Sequence, residues 1–149
     1  MNTRTWWVLA AVGVLMLFKT SNVRGIRNNN PGNIRGASYT WKGETGRDDK
    51  DFVIFNSPEM GIRAMYRTLL TYRHKHGLTT VRGIINRWAP PNENLTGSYV
   101  NHVANRLGKS PDTPLELADY PALITAIIRH ENGVQPYDRT TIERGIALA

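Results

Sequence analysis

The sequence predicts an α+β fold, mainly α, with one small hairpin and an apolar helix ahead of it. Three observations carry this. An unbroken apolar run lies near the N-terminus, the composition then turns abruptly to Asn, Gly and Arg near residue 24, and from Ser57 onward apolar residues recur at helical spacing in successive segments bounded by caps or breakers. With 149 residues, the chain has room for one domain with its own core once the apolar run is set aside. Residues 1–23 therefore read as a membrane anchor or signal-anchor, and residues 24–149 as the folded body.

The apolar run is Trp6 to Phe18, flanked by Arg4 and Lys19. At 1.5 Å per residue its roughly thirteen residues cover only about 20 Å as a helix. Paired tryptophans suit a membrane interface, so the expected contact is membrane lipid through residues 6–18. A cleavable signal peptide has an apolar region of this length, and a buried core helix is the third reading. No small-x-small site follows Phe18, which favours an uncleaved anchor. Positive charge on both sides leaves its orientation open.

The body begins with Arg27-Asn28-Asn29-Asn30-Pro31-Gly32-Asn33-Ile34-Arg35. Asn side chains bond nearby backbone, and Gly accepts positive φ, so consecutive turns are expected. Tyr39 to Gly43 and Phe52 to Phe55 are short aromatic and β-branched runs on either side of polar Glu44 to Lys50, which predicts a hairpin. Ser57, Pro58 and Glu59 then open a helix whose inner face is Ile62, Met65, Leu69 and Tyr72, with Gly77 as its stop. A second helix runs from about Thr80 through Val81, Ile84, Ile85 and Trp88 to Pro90-Pro91. A third follows Thr96 and turns Tyr99, Val100, Val103 and Leu107 inward. The fourth begins near Pro121 and carries Leu123, Ile124, Ile127 and Ile128 up to Glu131. Thr140 to Glu143 fits a capping box for a short last helix.

Composition narrows the chemistry. The net charge of +7 implies a polyanionic partner: nucleic acid, an anionic membrane face or an acidic cell-wall polymer. The arginines are scattered, without a zinc module, a dense basic helix or an aromatic ribonucleoprotein motif, so no specific nucleic acid is expected. The absence of cysteine excludes disulfides, thiolate metal sites and a thiol nucleophile. Walker, dinucleotide, HExxH and G-x-S-x-G motifs are missing, and His74, His76, His102 and His130 form no ligand pattern, so neither metal nor cofactor is expected.

Carboxylates remain. Glu131 follows Leu123, Ile124, Ile127 and Ile128 on or beside an apolar helical face. Desolvation there disfavours the charged form, which is what a general acid requires. The plainer reading is a solvated glutamate in a last helical turn. Glu44, after Trp41-Lys42-Gly43, is the first candidate for a partner carboxylate, ahead of Asp48, Asp49 and Asp51; each also reads as a loop charge. Asn30 and Asn33 are candidates for bonding a ligand's polar groups or for stitching their own turn. Trp41, Tyr99 and Tyr137 are candidates for stacking on a ligand or for the core.

Two stretches carry a family resemblance. Leu123 through Tyr137 (LITAIIRHENGVQPY) resembles the helix of lytic transglycosylases and related lysozyme-like enzymes that ends in the catalytic glutamate, with Asn132-Gly133 and Gln135-Pro136 standing where that family usually shows serine, a variable residue and Asn-Pro. Asn30 to Arg35, Trp41-x-Gly43, Phe52 to Phe55 and Ser57 to Tyr72 look like the segment that follows the glutamate in bacterial β-N-acetylglucosaminidases of the flagellar and autolysin type. The blocks stand in reversed order here, which a circular permutation would reconcile. The whole pattern is also similar to small phage proteins with an NNPGNIR motif, found as virion or lysis components. The resemblance implies a lysozyme-like domain that cuts the glycan strand of peptidoglycan with Glu131 as acid/base and Glu44 as the first candidate partner, with Asn30 and Asn33 available to bond acetamido groups and Trp41, Tyr99 and Tyr137 to stack on sugar faces. Together with the apolar run, it places the expected setting at a membrane, either the bacterial inner membrane facing the periplasm or a virion membrane. The alternative is a non-catalytic structural or wall-binding component of a virion or envelope.

Overall fold

The computed structural model describes residues 23–89 and 93–149, with the side chains at 93 and 94 left aside. Its elements are α1 (Arg24–Arg27), β1 (Glu44–Arg47), β2 (Val53–Phe55), α2 (Pro58–His76), α3 (Val81–Trp88), α4 (Glu93–Leu107), a 3₁₀ turn (Leu117–Asp119), α5 (Tyr120–Asn132) and α6 (Arg139–Ala147). The described chain is thus mainly helical, with one two-stranded antiparallel sheet.

This corrects the expected fold class, an α+β lysozyme-like domain preceded by an apolar anchor helix. Among the described residues no helix is long and apolar enough to cross a membrane. The expected anchor, the run at residues 6–18, lies outside the described residues. No anchor helix is part of the described fold.

The long helix α2 forms where the sequence places its signals. The Ser57 hydroxyl accepts the Met60 N–H at 3.3 Å, Pro58 occupies the first turn, and Gly77 closes the end in the left-handed region at φ 62°. Its buried face of Ile62, Met65 and Leu69 meets Leu123, Ile124, Ile127 and Ile128 of α5 in the main core, with Val81, Ile84 and Ile85 of α3 and Val100 and Val103 of α4. Six of the eighteen buried residues of this cluster are α5's own and the other twelve surround it, and burying each large aliphatic side chain stabilises the fold by about 1.5–3 kcal/mol. The helix that bears Glu131 is therefore the element around which the core packs.

A smaller cluster of Val53, Phe55 and Ala64, flanked by Ile34, Trp41 and Met60, attaches the sheet to α2. Here the sequence expectation shifts. The first strand is not Tyr39 to Gly43 but Glu44–Arg47, because Gly43 turns the chain at φ 82° and the Glu44 carboxylate accepts the Trp41 N–H at 2.8 Å. The reversal is then made by Asp48, whose Oδ1 accepts the N–H groups of Lys50 and Phe52, and by Asp51 at φ 64°. Two helix starts also differ: α4 begins at Glu93 rather than after Thr96, and α6 is capped by Asp138, whose carboxylate accepts the Thr141 N–H at 2.8 Å.

Candidate functional site

The NNPGN loop is held against the end of α5 by side-chain amides. Asn30 is fully buried; its Nδ2 donates to the carbonyls of Ile34 (2.8 Å) and Val53 (2.9 Å), and its Oδ1 accepts the Ile34 N–H at 2.9 Å. Asn29 and Asn33 take left-handed backbone at φ 51° and 50°, a region Asn tolerates better than most residues. From the other side, Asn132 Nδ2 donates to the Pro31 carbonyl at 2.8 Å. There is no room for side chains between them: a Cβ on Gly61 of α2 would overlap the Asn29 carbonyl, and one on Gly25 would overlap the Asn132 carboxamide oxygen.

This docking brings Asn33 to Glu131, 98 residues away in sequence. Asn33 Nδ2 donates to Glu131 Oε2 at 3.2 Å, and the Tyr99 hydroxyl of α4 donates to Oε1 at 2.9 Å. The half-buried carboxylate is thus oriented by one donor on each oxygen. Tyr99 is itself buried, and burial first, then the charge and hydrogen bond of Glu131, keep its phenol protonated far above the usual tyrosine range. It remains a donor at every working pH.

Behind Tyr99, the His130 ring stacks on it with centroids 3.7 Å apart, and His130 Nδ1 shares a hydrogen bond of 2.8 Å with His102 Nδ1. Both imidazoles are held below the ordinary histidine range, chiefly by burial. Arg106 and Arg129 add to this at His102; at His130 the other imidazole lowers it further while Glu131 opposes. The His130 ring covers one face of Tyr99 and is itself tied to His102. Among the described residues no group of three or more His, Asp or Glu side chains could hold a metal ion.

Glu131 opens into a cavity of about 520 Å³, also lined by Gly32, Asn33, Ile34 and Arg35 of the loop, Phe52, Thr68 and Tyr72, and Trp88-Ala89. Glu131 is the one carboxylate among these lining residues. Tyr72 and Trp88 meet edge-on at 6.3 Å, forming an aromatic corner.

The structure therefore unites three of the sequence candidates, Glu131, Asn33 and Tyr99, and sets the others apart. Glu44 is committed to the Trp41 N–H and to an ion pair with Arg47 at 3.0 Å. Both amide hydrogens of Asn30 are used within the loop. Trp41 packs on the small cluster and edge-on to Tyr39 at 5.2 Å, and Tyr137 packs on the main core, where burial and the nearby Glu59 push its phenol up to about 12. Asp48 serves the hairpin and pairs with Arg24 at 3.4 Å. Sequence reasoning assigned Trp88 and Tyr72 to the core alone, because a half-buried aromatic on an apolar face carries the same periodicity whether or not its outer edge borders a cavity. Arg35 and Phe52 were legible only as parts of a turn and a strand.

No family model matches the chain. It is 46% identical over 142 residues to Protein P5 of Pseudoalteromonas phage PM2, an alignment that covers 91% of this chain and 89% of that protein. At that identity and coverage, the chain belongs to the same family as Protein P5 of phage PM2.

Proposed function

We propose that the chain cleaves the glycan strand of peptidoglycan, with Glu131 as the acid/base residue. One observation carries this reading: Glu131, the one carboxylate among the described lining residues, is gripped on both oxygens by Tyr99 and Asn33 and faces a cavity with an aromatic corner. Aromatic faces and amides suit the alternating apolar and acetamido surfaces of amino sugars.

In the reaction, protonated Glu131 gives its proton to the glycosidic oxygen between N-acetylmuramic acid and N-acetylglucosamine as the bond to the anomeric carbon breaks. The carboxylate then takes a proton from whichever nucleophile attacks that carbon. Glycosidases of the usual kind place a second carboxylate about 5–9.5 Å away. Since the cavity lining holds Glu131 as its one carboxylate among the described residues, the favoured nucleophile is the muramoyl C6 hydroxyl, whose attack closes an anhydro ring without a second acid.

Asn33 suits both protonation states. Its Oδ1 is buried and has no partner among the described residues, and a carboxamide turned over presents an acceptor where it had presented a donor. The ionised glutamate receives N–H, and the protonated one finds a carbonyl oxygen.

The test is to incubate the purified protein with peptidoglycan and weigh the released sugars. Anhydro-ended fragments support the reading in full, reducing ends would replace the intramolecular step with hydrolysis, and no release would leave the chain a binding or structural component.

A further inference from the structure

We propose that Arg35 forms a subsite for a carboxylate carried by the substrate, so that the cavity selects an anionic amino-sugar strand over a neutral one. The inference rests on the glycan reading above and deepens it.

Arg35 lines the same cavity as Glu131 and is its one basic lining residue among those described. It is exposed, yet its position is fixed: Nη1 donates to the Lys50 carbonyl at 2.9 Å, and the guanidinium lies over the Phe52 ring, 4.4 Å from its centroid. A cation over an aromatic face is attracted by the ring quadrupole, and a planar guanidinium so held keeps its remaining N–H groups in a fork that matches a carboxylate.

The contrast with its neighbours is informative. Arg24 lies over the same Phe52 ring, at 4.9 Å, and is neutralised by Asp48 at 3.4 Å. Arg47 pairs with Glu44 and Asp51. Among the described residues no carboxylate lies within ion-pair reach of Arg35, although the hairpin supplies several acids close by in sequence. A clamped cation left with free donors, bordering the cavity that holds the glutamate, fits a ligand that brings its own negative charge. In peptidoglycan the peptide stems attached through the lactyl groups carry such carboxylates; in a plain N-acetylglucosamine polymer no group does.

Binding is measured on Glu131→Gln protein by calorimetry, with uncrosslinked peptidoglycan strands and with chitin oligomers of equal length. Adding Arg35→Gln is expected to weaken binding of the anionic strand by about tenfold, with little change for the neutral oligomer, and added salt narrows the difference. Arg35→Lys, which keeps the charge but loses the stacked fork, falls between the two. Equal affinity for the strand with and without Arg35, or an equal loss for both ligands, overturns the subsite. The two readings fail separately: wild-type protein that releases sugars while Arg35→Gln changes nothing sinks the subsite alone, whereas wild-type protein that releases none removes the glycan reading beneath it.

Discussion

Asn30→Ala tests whether the loop wall of the site is built as described. The Asn30 carboxamide makes three hydrogen bonds inside the protein, and the residue has no solvent exposure. Of its partners, the Ile34 carbonyl keeps a second donor, the Val53 N–H at 3.0 Å. The Ile34 N–H loses the acceptor it has, and the Val53 carbonyl loses its donor from the loop. A buried polar group left without a partner costs about 1–3 kcal/mol, so the two orphaned groups and the small void together predict a loss of about 3–5 kcal/mol. For a domain of this size that lowers Tm by roughly 10–15 °C, read by urea denaturation or a thermal melt followed by circular dichroism. Asn30→Asp keeps the acceptor for Ile34 but turns an oxygen toward two carbonyls, so it should destabilise more at pH 7 than at pH 4, where the introduced carboxyl can carry a proton. A loss below about 1 kcal/mol for Asn30→Ala would refute the joint and return Asn30 to the pool of ligand-binding side chains.

Three further outcomes are expected. Tyr99→Phe removes a hydrogen bond to a charged group, a class worth about 1.5–3 kcal/mol, so sugar release should fall by about 10- to 100-fold while the folded spectrum is retained; undiminished release would separate Tyr99 from the chemistry. The His102–His130 pair predicts acid sensitivity: both imidazoles sit below their ordinary value of 6.5 in the folded state, so the unfolded chain binds protons first and the pair's contribution, complete above about pH 6.5, is lost as the pH falls through the lower folded values. Denaturation midpoints between pH 7.5 and 5 should therefore fall in wild type and fall less in a His102→Gln, His130→Gln double variant; parallel slopes would contradict this. Gly61→Ala places a methyl group against the Asn29 carbonyl and the Pro31 ring, which overpacks by about 1–3 kcal/mol and should lower both stability and activity, since the displaced backbone carries Asn33.

The long helices were legible because their instructions are local. Ser57, Pro58 and Gly77 mark the ends of α2, and the apolar spacing of Leu123 to Ile128 identifies the buried side of α5. The hairpin was misplaced because its turns are made by side chains: Glu44 and Asp48 read as solvated loop charges, yet each accepts backbone N–H groups and so sets where the strand begins and reverses. Tyr99 and Asn33 could be picked as candidates by residue type, but their meeting at Glu131 depends on three long-range dockings, of α4 on α5, of the NNPGN loop on α5, and of that loop on Gly61 of α2. No periodicity within either segment encodes such a meeting. Glu44 and Glu131 were grouped as a candidate pair on chemistry alone; their hydrogen-bond partners place them in separate structures, a hairpin brace and a cavity wall.

The most direct test of the central claim is the release of sugars from peptidoglycan by Glu131→Gln compared with wild type. The substitution keeps the size of the side chain and an oxygen for the Tyr99 hydroxyl, so the variant should fold like the wild type while releasing no sugar above background. A well-folded Glu131→Gln protein that releases sugars at the wild-type rate would contradict the assignment of Glu131 as the acid/base residue.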